Sequence, residues 1–209
     1  KAKVMAKQFG LSSEETLFLQ GLNSPAKIQD YLDTLRFNHE EDGETCMSPR
    51  RVLLTKKAHC IEGAMLAALA LMLQGRPPLL LNLKVNTSKD DDHIVVLFKE
   101  HGYWGALSKT NHAVLRFRDP VYKTVRELAM SYFHEYFLVK DGTKTMRGYS
   151  KPINLRRFGT KWITSEDDLW KIAETIYDSP HLLVVPKENE RYLRHATKLE
   201  QKTARFAAS

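Results

Sequence analysis

Two residues in this chain are placed for nucleophilic chemistry. Cys60 stands at the start of an apolar helical stretch, Cys60 to Gln74, and His93 opens an apolar, β-branched run, His93 to Phe98. A thiol at a helix start feels the positive end of the helix dipole, which favours the thiolate. The unpaired backbone N–H groups of the same turn can stabilise an oxyanion. A cysteine nucleophile also needs a base. A His at a strand edge, directly after the polar run Asp90-Asp91-Asp92, is held by the strand while facing a cleft. Plainer readings stand beside these. A free Cys is often a small buried hydrophobe. A His at a strand start is often on the surface, and His59, His101 and His112 lie in the same stretch.

The elements that must position this pair are legible from caps and periodicity. Ser12 with Glu15 forms a capping box ahead of Leu17, Phe18 and Leu22. Ser24-Pro25 and Ser48-Pro49 each put a cap before a proline at the first helical position. The first of these leads into Ile28, Tyr31, Leu32 and Leu35 at helical spacing. Cys60 to Gln74 is apolar nearly all round, so it belongs at the centre of the molecule, and Gly75 with Pro77-Pro78 ends it. Strands are expected at Leu79 to Val85, His93 to Phe98, Tyr103 to Lys109 and Ala113 to Arg118. Short connections, including the turn signal His101-Gly102, make them an antiparallel meander. Thr124 with Glu127 caps a helix running from Val125 to Phe137. Thr143 to Tyr149 and Ile153 to Phe158 read as extended. Ser165 starts a helix through Ile176, His181 to Val185 is a short strand, and the polar tail from Lys187 to Arg205 reads as helical.

The order of these features resembles the transglutaminase-like superfamily, with its papain-like core. The carrying residues are Cys60-Ile-Glu-Gly-Ala64, continuing through Leu66, Ala67 and Leu73 to Gly75-Arg-Pro77. His93-Ile-Val-Val-Leu-Phe98 then follows, and after a turn Gly102-Tyr103-Trp104. The resemblance covers residues 56–110. It implies a cysteine hydrolase or acyltransferase acting on an amide or peptide bond, with Cys60 as nucleophile and His93 as base. In the family an Asp closes the partner strand and orients the His. The local match here is Ser108, in Ser108-Lys109-Thr110. A hairpin turning near His101 puts Ser108 opposite His93, and a serine accepts a hydrogen bond but supplies no charge. Asp119, in Arg118-Asp119-Pro120, has the expected Asp-Pro signature and competes for the position. It also reads as an ordinary turn residue before proline. Asn111 is a third option. Glu62, one turn into the helix, complements its N-terminus or tunes Cys60.

The implied fold class is α+β: a helical N-terminal half whose central nucleophile helix packs on an antiparallel β-sheet. The expected domain is single, 1–209, with a core at 48–137, N-terminal helices at 12–37 and a C-terminal extension at 138–209. Composition agrees with a globular protein, since 43% hydrophobic and 27% charged residues exclude a disordered chain. The most apolar stretch, Ala64 to Leu73, is far shorter than the ~20 residues of a membrane span, so no membrane association is expected. Only Cys46 and Cys60 occur, so a disulfide scaffold is not expected and a reducing, cytoplasmic setting is the default. Lys1 to Gly10 has no apolar run and does not read as a signal peptide. The start without Met suits a trimmed chain.

The net charge of +7 permits acidic partners without demanding them. The basic residues from Arg116 to Lys161 interleave with Tyr122, Tyr149, Phe158 and Trp162. Nucleic acid is therefore an alternative partner, disfavoured because no nucleic-acid motif accompanies them. A peptide or protein substrate is expected. An inactive interaction module is the other alternative, supported by the serine at the third position. Asp90 to His93 are metal-ligating types, but consecutive residues of an extended run point different ways. Some relatives use calcium, and no calcium loop is recognisable here. No metal and no organic cofactor is expected.

Overall fold

A computed structural model describes residues 9–204 except 42 and 87; the first eight residues and Arg205, on which two of the expectations above fall, lie outside the described residues. The chain opens with α1 (Ser13–Gly21) and α2 (Pro25–Thr34). The Ser12 hydroxyl accepts from the Glu15 N–H at 3.0 Å, and the Glu15 carboxylate returns to the Ser12 N–H at 2.7 Å, closing the box. Ser24 and Ser48 cap α2 and α3 (Pro49–Thr55) through their hydroxyls, each with proline just inside the helix. Lys56 is left-handed, with φ 55°, and turns the chain out of α3. Strand β2 (Lys57–Ala58) then runs parallel to β1 (Arg36–Phe37) and delivers the chain to α4 (Cys60–Leu73).

Helix α4 is the spine of the molecule. Every residue from Ile61 to Leu73 is buried, as its all-round apolar sequence requires. A Schellman motif ends it: Gly75, with φ 81°, donates to Met72 O at 2.9 Å, and Arg76 donates to Leu71 O at 2.9 Å. Strands β3 (Leu79–Val85), β4 (His93–Glu100), β5 (Tyr103–Ser108) and β6 (Arg118–Tyr122) form the antiparallel meander. Helix α5 (Val125–Phe133), β7 (Met146–Ser150) and β8 (Ile153–Asn154) follow, then α6 (Trp170–Tyr177), β9 (His181–Leu183) and α7 (Lys198–Ala204). The sheet order is β6-β5-β4-β3-β7-β9, with β8 also on β3.

Both faces of the sheet are covered. Ile94, Val96 and Phe98 pack with α4, while Val95 and Leu97 pack with Leu128, Ala129 and Tyr132 of α5. That two-sided burial is why β4 reads as a continuous apolar run rather than an alternating one. The β4–β5 turn is two residues, His101 at φ 46° and Gly102 at φ 91°. This turn sets Val95 opposite Ser108. Ser108 is thus diagonal to His93 rather than directly opposite it, and both residues share a sheet face with Val95.

The fold differs from expectation where tertiary contacts override local pattern. Of the strand expected over Ala113 to Arg118, only Arg118 lies in one. Leu115 is left-handed, at φ 60°, held by a 2.9 Å bond from its N–H to Glu135 and a 2.6 Å bond from the Ser108 hydroxyl to its carbonyl. The strand instead occupies Arg118–Tyr122 and includes Pro120, which is tolerated because β6 is an edge. The helix expected from Ser165 begins only at Trp170. Asp168 accepts from Cys46 N at 2.9 Å and from Arg51 at 2.7 Å, and Leu169 N donates to Cys46 O at 2.8 Å. Those bonds hold the preceding residues out of the helix. Helix α5 stops at Phe133, short of Phe137. The extended stretch after Ile153 lasts two residues before a 3₁₀ turn, Leu155–Phe158. The tail is a 3₁₀ turn, Lys187–Tyr192, and the separate helix α7. No helix among the described residues is long and apolar enough to cross a membrane.

Gly63 shows how tightly α4 and the site loop are joined. A Cβ there would sit 2.5 Å from Lys109 Cβ. Lys109 is itself buried and donates from Nζ to Leu35 O, so its stem has no free direction. Gly63→Ala is expected to destabilise the fold by about 1–3 kcal/mol through overpacking, read as a lower melting temperature.

Candidate active site

Cys60 is the first residue of α4 and keeps part of its surface accessible. Two imidazoles flank its thiol, His59 on the chain and His93 on β4. Burial by itself raises the thiol pKa, but hydrogen bonding from both rings and their charges outweigh that and bring it down to about 6. Cys46 is the opposite case. Burial first, then the charge of Glu62, pushes its thiol up to about 12. The surroundings of the two thiols therefore push them in opposite directions.

The protonation geometry of His93 follows from its partner. His93 Nε2 lies 2.8 Å from Ser108 Oγ, and Ser108 Oγ lies 2.6 Å from Leu115 O. A carbonyl only accepts, so the single Ser108 proton goes to Leu115. Toward His93 the hydroxyl must then accept, and Nε2 must carry hydrogen. This leaves Nδ1 as the lone-pair nitrogen for the thiol. Ser108 thus does without charge one half of what a carboxylate does: it selects the tautomer that can act as a base. Its own position is secured by Gln29 of α2. That side chain accepts from Ser108 N at 2.9 Å and donates to Ser108 O at 2.8 Å, imitating a strand neighbour. Removal of the hydroxyl by Ser108→Ala is expected to erase a preference of about 10-fold for the Nε2–H form, the upper end for one neutral hydrogen bond. Ring ¹⁵N chemical shifts of neutral His93 would read the two forms as a mixture.

Glu62 organises the opposite side. Its carboxylate is wholly buried and accepts from Asn38 Nδ2 at 3.2 Å, Thr45 Oγ1 at 2.8 Å, Met47 N at 2.9 Å and His59 N at 3.0 Å. These bonds tie the 38–47 segment to the helix start. His59 Nε2 in turn lies 2.9 Å from Thr45 O and 3.5 Å from both Glu40 Oε1 and Glu62 Oε1. Burial lowers the pKa of His59, yet the thiol, Glu62 and the Thr45 carbonyl raise it to about 9.

Cys60 sits between two clefts. One of about 290 Å³ is lined by His93, Asn111, Leu115 and Tyr136. The other, of about 670 Å³, is lined by Asn38, Glu40, His59, Trp170 and Tyr177. Phe37, Cys60 and Asp90 to Asp92 line both. The acidic run is largely engaged in structure. Asp92 accepts from Asn82, Lys84 and Val85 N, and Asp90 accepts from Thr145. No three His, Cys, Asp or Glu among the described residues are gathered to hold a metal ion.

Of the residues singled out from sequence, Cys60, His93 and Ser108 come together, and Asn111 lines the His93 cleft. Asp119 does not join them. It is exposed on edge strand β6, beside the Ala106–Arg118 pairing and well along the sheet from His93. Its Asp-Pro dipeptide serves the edge rather than the His. Several of the basic residues between Arg116 and Lys161 are spent inside the fold: Arg118 pairs with Glu135 at 2.6 Å, Arg147 with Glu190 at 3.1 Å, and buried Lys144 donates to His134 O. The sequence pattern gives no role to Gln29 and marks His59 only as one more histidine of the stretch. Nothing local marks Gln29. The His59–Glu62 spacing, a cap position with Glu three residues later, was the available signal for the second. No protein-family model matches the chain, and no curated protein matches it.

Proposed function

We propose that this protein is a cysteine hydrolase or acyltransferase that attacks an amide or peptide bond through Cys60, resembling the transglutaminase-like superfamily in the order and roles of its site residues. The observation that carries the reading is the chain of contacts from His93 Nε2 to Ser108 Oγ at 2.8 Å and on to Leu115 O at 2.6 Å, beside a thiol whose pKa the two flanking imidazoles bring down to about 6. The Cys60 proton passes to His93 Nδ1. The thiolate attacks the carbonyl carbon, the S–C bond forms, and the carbonyl electron pair moves onto oxygen beside the N–H groups of the α4 start. The Nδ1 proton then goes to the leaving amine as the C–N bond breaks, giving a thioester on Cys60. Water or a second amine, deprotonated by Nδ1, attacks the thioester and releases the thiolate. Clefts on both sides of the thiol suit an extended peptide with room on the acyl and leaving-group sides.

The test is to trap the thioester. Full-length protein is mixed with a panel of peptide amides and activated esters and read by intact mass. An adduct on Cys60 that hydroxylamine removes, absent in Cys60→Ala, is the expected result. No adduct across the panel, with the thiol still reactive, would support the second reading: a peptide-binding module of the same build, which the uncharged Ser108 favours.

A further inference from the structure

We propose that His59 is the resident cation of the site: an imidazolium anchored by Glu62 and Glu40 that balances the Cys60 thiolate and then the oxyanion, leaving His93 alone to move protons. This rests on Cys60 being the nucleophile. The two rings are constrained alike but backed by different groups. His59 Nε2 is 2.9 Å from Thr45 O, a group that only accepts, so Nε2 carries hydrogen, as it does in His93. Nδ1 is then left for the thiol in both rings. Behind His93 stands a neutral hydroxyl. Behind His59 stand two carboxylates at 3.5 Å, one of them wholly buried.

Opposite charges a few ångströms away favour the protonated ring, and the low-dielectric surroundings of Glu62 strengthen the effect. Two titratable groups whose surroundings push them apart divide the work of a site. The carboxylate missing at the third position of the resemblance is thereby supplied from the other side of the thiol, through a second imidazole. When the thiolate attacks, its charge moves to the carbonyl oxygen, and a cation beside it in the same cleft at the helix start is placed to stabilise it there. Of the other titratable groups that line the clefts with Cys60, Asp90 to Asp92, Glu44 and Glu135 bring carboxylates. Lys84 pairs with Asp92 at 2.9 Å, Lys109 donates to Leu35 O, and His39 packs edge-on against Phe37. Burial lowers the pKa of both Lys109 and His112. That leaves Cys46 in the 38–47 segment, Tyr136 after α5 and Tyr177 at the end of α6. All three ordinarily lose protons only at high pH, and burial raises each further, so none supplies a cation.

The test is the pH dependence of alkylation by iodoacetamide in the full chain, in the parent, His59→Gln and Glu40→Gln. Cys46→Ser is the background throughout, so that one thiol reports. The parent midpoint is expected near pH about 6. His59→Gln should raise it by about 1–3 units, the effect of removing an adjacent opposite charge, and Glu40→Gln should raise it by less. An unchanged midpoint in a His59→Gln protein that melts like the parent overturns the proposal. If His59→Gln does not fold, the ring ¹⁵N titration of His59 in the parent decides. A cation that persists well past neutral pH supports the proposal, and an ordinary titration near ~6.5 overturns it. A parent midpoint near the ordinary thiol value of ~8.5 sinks the nucleophile reading itself, and this proposal with it. A depressed parent midpoint indifferent to His59 removes the role of His59 alone.

Discussion

His93→Ala is expected to lower amide turnover by about 10²–10⁴-fold, the usual contribution of a positioned general acid–base, while Cys60 stays open to alkylation. The asymmetry is the informative part. His93 is the ring at the thiol whose second nitrogen meets only a neutral hydroxyl, and it is the ring proposed to move protons. His59, backed by carboxylates, holds its proton and keeps part of the thiolate population in being without His93. Alkylation needs only the thiolate, whereas amide cleavage also needs the leaving amine protonated. Steady-state kinetics beside the alkylation rate would separate the two. Equal losses in both would mean that His93 merely holds the thiol and moves no proton.

Glu62→Ala is expected to destabilise the protein by about 3–5 kcal/mol, the range for removing one partner from a buried charged network. The mechanism is specific. Asn38 Nδ2, Thr45 Oγ1, Met47 N and His59 N all donate to this carboxylate, and alanine leaves these donors without it. The His59 ring also loses its buried counter-charge. Urea unfolding should show a large drop in the midpoint with little change in slope. Glu62→Gln should recover part of the loss, because the amide oxygen still accepts from some of the same donors. A loss under about 1 kcal/mol, typical of a surface substitution, would mean that the 38–47 segment is held by its apolar residues instead.

The parts of the fold that were legible are those with a local cause. Ser12, Ser24, Ser48 and Thr124 cap helices where their spacing to Glu or Pro said they would. The helix at Cys60 and the two-residue turn at His101-Gly102 follow from composition alone. Cys60, His93 and Ser108 were legible as a set because one helix start and one hairpin position all three. The choice between Ser108 and Asp119 was not. It depended on the path from Lys109 to Phe117, and that path is held by the distant side chains Glu135 and Ser108 around a left-handed Leu115. Gln29 and Asp168 escaped notice for the same reason. Each satisfies backbone groups far along the chain, and no local pattern announces such a bond.

The most direct measurement is the pH–rate profile of Cys60 alkylation in the parent and in His93→Ala. The parent thiolate is expected to form with a midpoint of about 6, and that midpoint to rise when His93 is removed. A profile that rises only near the ordinary thiol value of ~8.5, the same with and without His93, would contradict it.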